Sequence, residues 1–191
     1  MKRRAFFHST AGAGALAALS GCGRDKTGSG SGAGLITDIA GKNLDEIRKE
    51  LHAELFDIFL PLMERAVIDN EYGGFMCQAR PDESRVNTEK RTWYQGRGVW
   101  VYSYLYQNFG KDPRHLEIAR KGVEFIRKTM PPEDTFWAEW YTREGKPING
   151  PDKVLYSDLF MAEGLQEFAA ATGDFSHFDT SRKIFFKMAN V

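Results

Sequence analysis

One stripe of side chains has the types and the spacing for ligand chemistry. Trp93, Arg97, Trp100 and Tyr104 recur at steps of four, three and four residues, which places them on one face of a helix. Such a face could stack the apolar side of a sugar ring on an indole while the guanidinium of Arg97 donates to the sugar's oxygens. A buried helix whose arginine pairs with an acid has the same spacing, and tryptophans at helical spacing are more often core residues than ligand contacts.

Other polar residues are weaker candidates for the same pocket. Glu139, Asp158 and Glu163 could supply carboxylates, although lone carboxylates more often face solvent or cap helices. Tyr156 could line the pocket or pack as an ordinary aromatic residue. The sequence has no His and Cys cluster with the spacing of a metal site, and no glycine-rich loop that joins a strand to a helix. We therefore expect no metal and no cofactor.

The four histidines do not lie where a catalytic base is expected. His8 belongs to the basic leader, and His52 lies early in the first predicted helix. His115 and His177 come directly after tight turns, at equivalent positions of an internal repeat. We therefore predict structural roles for all four and assign no catalytic residue in this chain.

The net charge excludes one class of partner. The chain has 26 basic and 26 acidic residues, and the two signs are interspersed. A protein that binds a nucleic-acid backbone concentrates its Lys and Arg residues on one surface, so we expect no nucleic-acid partner.

The first residues have the pattern of a targeting segment. Lys2, Arg3 and Arg4 precede an uncharged run over residues 11–21, which is too short to span a bilayer. The arginine pair resembles the twin-arginine export signal, and residues 19–22, Leu-Ser-Gly-Cys, resemble a lipobox. Both features indicate export.

We therefore expect residues 1–22 to be a lipoprotein signal peptide ending at Cys22, whose sulfur would carry a diacylglycerol. An ordinary thiol in a flexible leader is the alternative. The mature protein would be a membrane-anchored lipoprotein, in the periplasm or at the cell surface. Residues 23–42, which are rich in Gly and Ser, would form a flexible tether, and residues 43–191 would form the folded domain.

Helical periodicity dominates this domain. Asn43 and Glu46 have the spacing of a capping box at the start of a first helix, which we expect to kink at Pro61. A second helix is predicted over about Thr92–Asn108, ended by Gly110. Asp112 caps a third helix, which has Leu116, Ala119, Val123, Ile126 and Met130 on one face.

A β-hairpin or extended excursion is predicted from Phe136 through Tyr141 to a turn at Arg143–Lys146. Two more helices follow, one that contains Leu159 and ends at Gly173 and one over His177–Met188.

An internal repeat relates these helices. Residue pairs separated by 62 positions match, and they are Tyr94 and Tyr156, His115 and His177, Arg120 and Arg182, and Lys121 and Lys183. Each unit is a helix, a tight Gly-Asp turn and an antiparallel helix. A closed ring of six such units would need roughly 360 residues, so we predict an all-α fold that forms the N-terminal half of a six-hairpin α/α barrel, with short β-hairpin excursions between helix pairs. The last residues continue an apparent helix without a cap, so we expect the domain to be truncated at its C-terminus.

Three motifs resemble a known family. They are Tyr72–Phe75, Lys90–Trp100 and Val154–Phe160, and they resemble, in order and spacing, landmarks of the N-acylglucosamine 2-epimerase family, which includes cellobiose 2-epimerases and mannose isomerases. The resemblance covers Asn43–Val191. It implies a six-hairpin α/α barrel with a sugar bound in its mouth, and interconversion of C2 epimers, or of aldose and ketose, through an enediolate. It also implies that Arg97 contacts the sugar's oxygens.

The resemblance further implies two histidines as base and acid, and none of the four histidines matches those positions. The catalytic pair would then lie beyond Val191, and this chain would be an incomplete, inactive piece of the enzyme. Two alternatives stay open: a glycoside hydrolase on an α/α barrel, which needs two carboxylates facing one pocket, and a non-catalytic surface lipoprotein that binds carbohydrate. The sequence does not indicate an oligomeric state.

Overall fold

Helices make up most of the computed structural model, which describes residues 37–151 and 156–190. The helices are α1 (Leu44–Ala53), a π-helical segment (Glu54–Phe59), α2 (Leu60–Ala66), α3 (Thr92–Asn108), α4 (Pro113–Lys128), α5 (Tyr156–Thr172) and α6 (Ser176–Ala189). The strands are β1 (Asp38–Ile39), β2 (Lys42–Asn43), β3 (Lys90–Arg91) and β4 (Trp140–Tyr141), which form two antiparallel pairs, β1 with β2 and β3 with β4. No helix among these residues is long and apolar enough to cross a bilayer.

The start of the first helix is determined locally. The side chain of Asn43 accepts the Glu46 N–H at 2.9 Å, and the Glu46 carboxylate accepts the Asn43 N–H at 2.9 Å, so the predicted capping box is confirmed. Where we predicted a kink at Pro61, the hydrogen-bond register changes over the π-helical segment just before it, and the Leu60 N–H bonds to the Leu55 carbonyl. Proline has no N–H and crowds the carbonyl four residues earlier, and a wider turn relieves that crowding.

Two helical hairpins follow, as the repeat predicts. Gly110 (φ 80°) and Gly173 (φ 76°) end α3 and α5 in the left-handed region that favours glycine. The Asp112 carboxylate caps α4 by accepting the Arg114 N–H at 2.9 Å. The prediction for Met130 was wrong: α4 ends at Lys128, and the Met130 side chain is 40% exposed. Its successor is a proline, and a residue that precedes proline is disfavoured in the helical conformation.

Helices α3 and α5 pack at very short distance. A Cβ atom on Gly96 would lie 2.1 Å from the Phe160 carbonyl oxygen, and one on Gly164 would lie 2.4 Å from the Gly96 carbonyl oxygen. Further along both helices, the Gln107 side chain donates to Glu167 at 2.7 Å. Because later residues of α3 meet later residues of α5, the two helices run parallel.

The β-structure differs from the prediction in its pairing. The aromatic stretch does contain a strand and a turn, since Thr142 N–H bonds to Lys146 O at 2.8 Å, with Gly145 at φ 93°. However, β4 pairs with β3, a strand that we did not predict, with Lys90 opposite Tyr141 and Arg91 opposite Trp140. Periodicity within one segment does not reveal a partner strand about fifty residues away. The β1–β2 pair, which we also did not predict, overlaps the end of the predicted tether.

A buried ion cluster links the glycine turn after Asp69 to strand β3, which directly precedes α3. Lys90 and Asp69 are both fully buried, and Lys90 Nζ lies 2.9 Å from an Asp69 carboxylate oxygen while donating to Gly73 O at 2.6 Å. Arg143 also bonds Asp69, at 2.9 and 3.0 Å. Burial alone would raise the pKa of Asp69, but the hydrogen bonds from Arg143 and Lys90 outweigh it and lower that pKa to about 2. The cluster therefore ties the glycine turn after Asp69 to strand β3.

Gln95 makes a second tie between that turn and α3. Its side-chain oxygen accepts the Phe75 N–H at 2.7 Å, and its side-chain nitrogen donates to the Phe75 carbonyl at 2.8 Å. Phe75 is buried and contributes to the hydrophobic core between the two hairpins. The first two motifs are thus joined in space, and they set the position of the exposed side of α3.

Candidate functional site

The two parallel helices present equivalent exposed stripes. The stripe on α3 contains the exposed residues Tyr94, Arg97, Val101 and Tyr104, and the stripe on α5 contains Tyr156, Leu159, Glu163 and Gln166, each 62 positions after its counterpart. Tyr156, at 64% exposure, thus takes on α5 the position that Tyr94 takes on α3. Because the helices are parallel neighbours, the two stripes belong to one wall that begins at the N-terminal ends of both helices.

Arg97 connects the two helices at this wall. Its guanidinium carbon lies 5.3 Å from the ring centre of Trp93 and 5.5 Å from that of Phe160 on α5. Arg97 is exposed, and its side chain makes no ion pair or hydrogen bond with any residue in 37–151 or 156–190. The alternative in which Arg97 is buried and paired with an acid is therefore not seen in the described part of the chain. Two aromatic rings orient the guanidinium, and its donors point to no described acceptor.

Trp93 and Trp100 are both partly buried and contact other aromatic rings. The Trp93 ring centre is 4.1 Å from that of Tyr94 and 5.9 Å from that of Phe160, and Trp100 stacks on Tyr104 at 5.1 Å with an interplanar angle of 11°. Each tryptophan thus supports an exposed aromatic residue of the wall, and its role as a substrate contact stays a prediction.

Strand pairing brings further residues to the same end of α3. Arg91 Nη2 lies 2.6 Å from an oxygen of Glu139, so this candidate acid is engaged in an ion pair. The Arg91 guanidinium carbon is also 5.3 Å from the ring centre of Trp140 and 5.6 Å from that of Trp93. Sequence reasoning did not select Arg91, Trp140 or Phe160. Signals for Arg91 and Phe160 were present, because Arg91 lies within the second family motif and Phe160 ends the third.

The remaining candidate carboxylates have separate environments. Asp158 is buried, with one oxygen 3.3 Å from Lys187 Nζ and the other accepting the Trp137 N–H at 3.3 Å. Glu163 is exposed on the α5 stripe. Of the three acids selected from the sequence, Glu163 is therefore the one that faces the wall without a described ion pair.

The histidines lie away from this wall. His115 and His177 are buried near the start of the second helix of each hairpin, as expected, at 5.9 Å from Tyr102 and 4.9 Å from Phe168 between ring centres. Burial lowers the pKa of both imidazoles. His52 is exposed and stacks on Phe56, and His8 lies outside the described residues. Within the described ranges, no group of three or more His, Cys, Asp or Glu residues is arranged to hold a metal ion.

Comparisons with known proteins identify the family that this chain resembles in sequence. Residues 73–186 match the family described as N-acylglucosamine 2-epimerase (GlcNAc 2-epimerase). Similar curated proteins include the N-acylglucosamine 2-epimerase of Homo sapiens, 35% identical over 113 residues, and that of Mus musculus, 30% identical over 131 residues. The cellobiose 2-epimerase of Bacteroides fragilis is 29% identical over 136 residues.

The match to the Homo sapiens protein covers 56% of this chain and 26% of that protein. The corresponding shares are 66% and 31% for the Mus musculus protein and 69% and 34% for the Bacteroides fragilis protein. The chain thus spans about a third or less of the length of these relatives.

Among solved structures, a sugar epimerase from a ruminal bacterium has a TM-score of 0.67 at 24% identity, covering 74% of this chain and 36% of that one. The cellobiose 2-epimerase of Spirochaeta thermophila has a TM-score of 0.67 at 23% identity, covering 76% and 36%. At these identities the structural likeness shows the fold alone.

Proposed function

The chain belongs to the N-acylglucosamine 2-epimerase family, and on that basis we propose that its protein interconverts C2 epimers, or the aldose and ketose forms, of a mono- or oligosaccharide. Curated relatives that match the chain are named as 2-epimerases of N-acylglucosamine or cellobiose. Because the chain spans about a third or less of their length, the activity of the whole protein is part of the proposal.

One observation carries the proposal: Arg97 is exposed, oriented by two aromatic rings, and unpaired within the described residues. The donors of this exposed guanidinium are available to a ligand, and its planar fork fits two neighbouring oxygens of a sugar. The aromatic residues beside it suit the C–H face of the same ring.

The chemistry assigns Arg97 an electrostatic role. A base removes the proton from C2 of the open-chain aldose, and the electron pair moves to the C1–C2 bond, so that negative charge develops on the former carbonyl oxygen. Donors from Arg97 to that oxygen stabilise the enediolate more than the neutral substrate. Return of a proton to the other face of C2 gives the epimer. Protonation of C1, with transfer of the O2 proton to O1, gives the ketose.

The groups that move the proton belong, in this proposal, to parts of the protein outside the described residues. His115 and His177 are buried between helices. His52 stacks on Phe56, and the Phe56 ring centre is 5.2 Å from that of Phe109, which directly follows α3 at the end far from Arg97. The described hairpins would supply part of the inner wall of a six-hairpin α/α barrel, and the family histidines would complete the site. A chain limited to these residues would then be inactive.

The proposal also places the protein outside the cytoplasm. Residues 1–36 are not among those described, so the targeting features rest on the sequence. In this proposal Cys22 carries a diacylglycerol, which anchors the protein to a membrane and leaves the sugar-binding domain in the periplasm or at the cell surface. The substrate would be a carbohydrate available in that compartment.

The test is turnover of a reducing sugar in deuterium oxide by the protein at the full length that its gene encodes. An enediolate route exchanges the C2 proton with solvent, so the epimeric product should carry deuterium at C2. Arg97→Lys keeps the charge but loses the bidentate fork, and should lower kcat by about ten- to a hundredfold, the value of one charge-assisted hydrogen bond. Arg120→Lys is the matched control, because Arg120 is exposed on α4 and paired with Glu117 and Glu124.

Two results would contradict the proposal. An epimer without deuterium at C2, or a ketose without deuterium at C1, excludes exchange through the enediolate. Equal kinetics for Arg97→Lys and Arg120→Lys exclude the electrostatic role of Arg97. Sugar binding without turnover of any sugar would instead favour the non-catalytic lipoprotein. The hydrolase alternative gains no support from the described carboxylates, since Glu139 and Asp158 each face a cationic partner.

A further inference from the structure

A cleft lies between the π-helical segment and α2 on one side and the turn that joins α3 to α4 on the other. Its volume is about 510 Å³, which is within the range of pockets that bind small molecules. The lining includes Phe56 and Phe109, whose ring centres are 5.2 Å apart, and the polar residues Glu64, Asp112 and His115. We call these five residues the turn cleft. It lies at the end of α3 that is far from the wall described above.

His115 brings a buried nitrogen without a hydrogen-bond partner to the turn cleft. The residue is 4% exposed, and its Nδ1 atom has no partner among residues 37–151 and 156–190. Burial lowers the pKa of this imidazole, so the ring is uncharged at neutral pH. With its proton on Nε2, the uncharged ring offers Nδ1 as an acceptor. A buried acceptor that has lost its bond to water is stabilised by a donor, which a ligand can supply.

The charge of the turn cleft favours a cation. Glu64 is half-buried and makes no ion pair or hydrogen bond with any residue that the structure describes. It is near enough to His115 to oppose the lowering of that residue's pKa. Asp112 is paired with Arg114 at 2.7 Å, so these two charges offset each other and the charge of Glu64 is left. The two phenylalanine rings attract a cation as well.

The next unit of the internal repeat shows which group occupies the corresponding position. His177 lies 62 positions after His115, and its Nδ1 atom is 3.4 Å from Nη2 of Arg127. Arg127 is the penultimate residue of α4, the helix that precedes this unit. A guanidinium therefore supplies the donor beside His177.

Arg65 has the equivalent place in the sequence but a different partner. It lies 62 positions before Arg127 and is the penultimate residue of α2. Its guanidinium bonds both carboxylate oxygens of Glu83, at 2.7 Å each. Arg65 therefore does not supply to His115 the donor that Arg127 supplies to His177.

We propose that the turn cleft binds a small organic cation that carries a guanidinium group and a short apolar body. The guanidinium pairs with Glu64 and directs one donor at Nδ1 of His115. The apolar body lies against Phe56 and Phe109. This site does not depend on the proposed function, since none of its residues belongs to the wall at Arg97.

Isothermal titration calorimetry of the full-length protein tests the site with butylguanidinium and butylurea. The two molecules have nearly the same planar head and the same chain, but only butylguanidinium is charged. It should bind roughly tenfold more tightly than butylurea, the value of one charge-assisted hydrogen bond.

Two variants and a matched control locate the binding. Glu64→Gln keeps the shape of the side chain and removes its charge, and should weaken butylguanidinium binding roughly tenfold. His115→Phe keeps a ring but removes the acceptor, and should weaken binding roughly threefold to tenfold. Glu117→Gln removes the same charge outside the turn cleft and should leave the affinity unchanged, because Glu117 is exposed on α4 and bonded to Arg120.

Three results would overturn the proposal. They are equal affinities for butylguanidinium and butylurea, equal affinities of Glu64→Gln and Glu117→Gln for butylguanidinium, and no heat of binding at millimolar concentrations. If His115→Phe does not fold, the comparison of Glu64→Gln with Glu117→Gln still decides, because Glu64 makes no described bond that holds the fold. All of these measurements report binding alone, so failure of sugar turnover would not affect them.

Discussion

Gly96→Ala tests the close approach of α3 and α5. The new Cβ atom would lie 2.1 Å from the Phe160 carbonyl oxygen, 2.3 Å from its carbon and 2.6 Å from the Met161 nitrogen. All three are backbone atoms of a helix, so no side chain can rotate away. To reach ordinary contact at 3.4 Å, the helices must separate by roughly 1.3 Å at this point.

The expected loss of stability follows from two opposing effects. Overpacking of this kind costs about 1–3 kcal/mol, whereas alanine is favoured over glycine inside a helix by about 1 kcal/mol. Because the contacted atoms belong to a helix backbone, we take the upper part of this range, about 2–3 kcal/mol, and expect a net loss of about 1–2 kcal/mol in the free energy of unfolding. Gly164→Ala should have a similar effect, and the double variant should lose less than the sum, because the first substitution already separates the helices.

Urea denaturation followed by circular dichroism measures these changes. Gly150→Ala is the control, since nothing lies within 4 Å of its Cβ position and its φ is not in the left-handed region. If Gly96→Ala were as stable as the control, or more stable by the helical preference of alanine, the close packing of α3 on α5 would be wrong. Strict additivity of the two substitutions would contradict the shared contact.

Two more predictions concern the buried ion cluster and the leader. The pKa of Asp69 is lowered from 3.8 to about 2, so its ionised form contributes on the order of 2 kcal/mol to the free energy of unfolding. This contribution is present above pH 4 and is lost as the pH falls through 2. NMR titration of the Asp69 carboxyl carbon should show a midpoint near pH 2, and a midpoint near pH 4 would contradict the ion cluster. Radiolabelled palmitate should label the protein but not its Cys22→Ala variant, and replacement of Arg3 and Arg4 by Lys should block export, whereas unchanged export would indicate the general secretory route.

The boundaries of the helices were largely predictable because their signals are local. Asn43 and Glu46 are three residues apart, Asp112 caps a helix that begins at the next residue, and Gly110 and Gly173 end helices through their own backbone conformation. The offset of 62 also predicted that Tyr156 would take the position of Tyr94. The failure at Met130 was also local, because the effect of the following proline on the end of α4 was underestimated.

The composition of the candidate site was less predictable. Helical spacing placed Arg97 on an exposed face, but it does not tell which rings orient the guanidinium. Phe160 comes from the neighbouring helix, and its approach to Arg97 depends on two glycines that let α3 and α5 pack backbone to backbone. Arg91 and Glu139, 48 residues apart, meet only because β3 pairs with β4.

The sequence by itself therefore determined the helices, their turns, the repeat and the family, because each of these depends on short-range hydrogen bonding, on periodicity or on matched motifs. Tertiary structure alone decided which side chains meet. The bonds from Arg143 to Asp69 span 74 residues, and the Asp69 carboxylate that accepts them is buried beside Lys90, an arrangement that no local pattern encodes. The wall at Arg97 and the Arg91–Glu139 ion pair have the same origin, since each forms where separate segments of the chain meet.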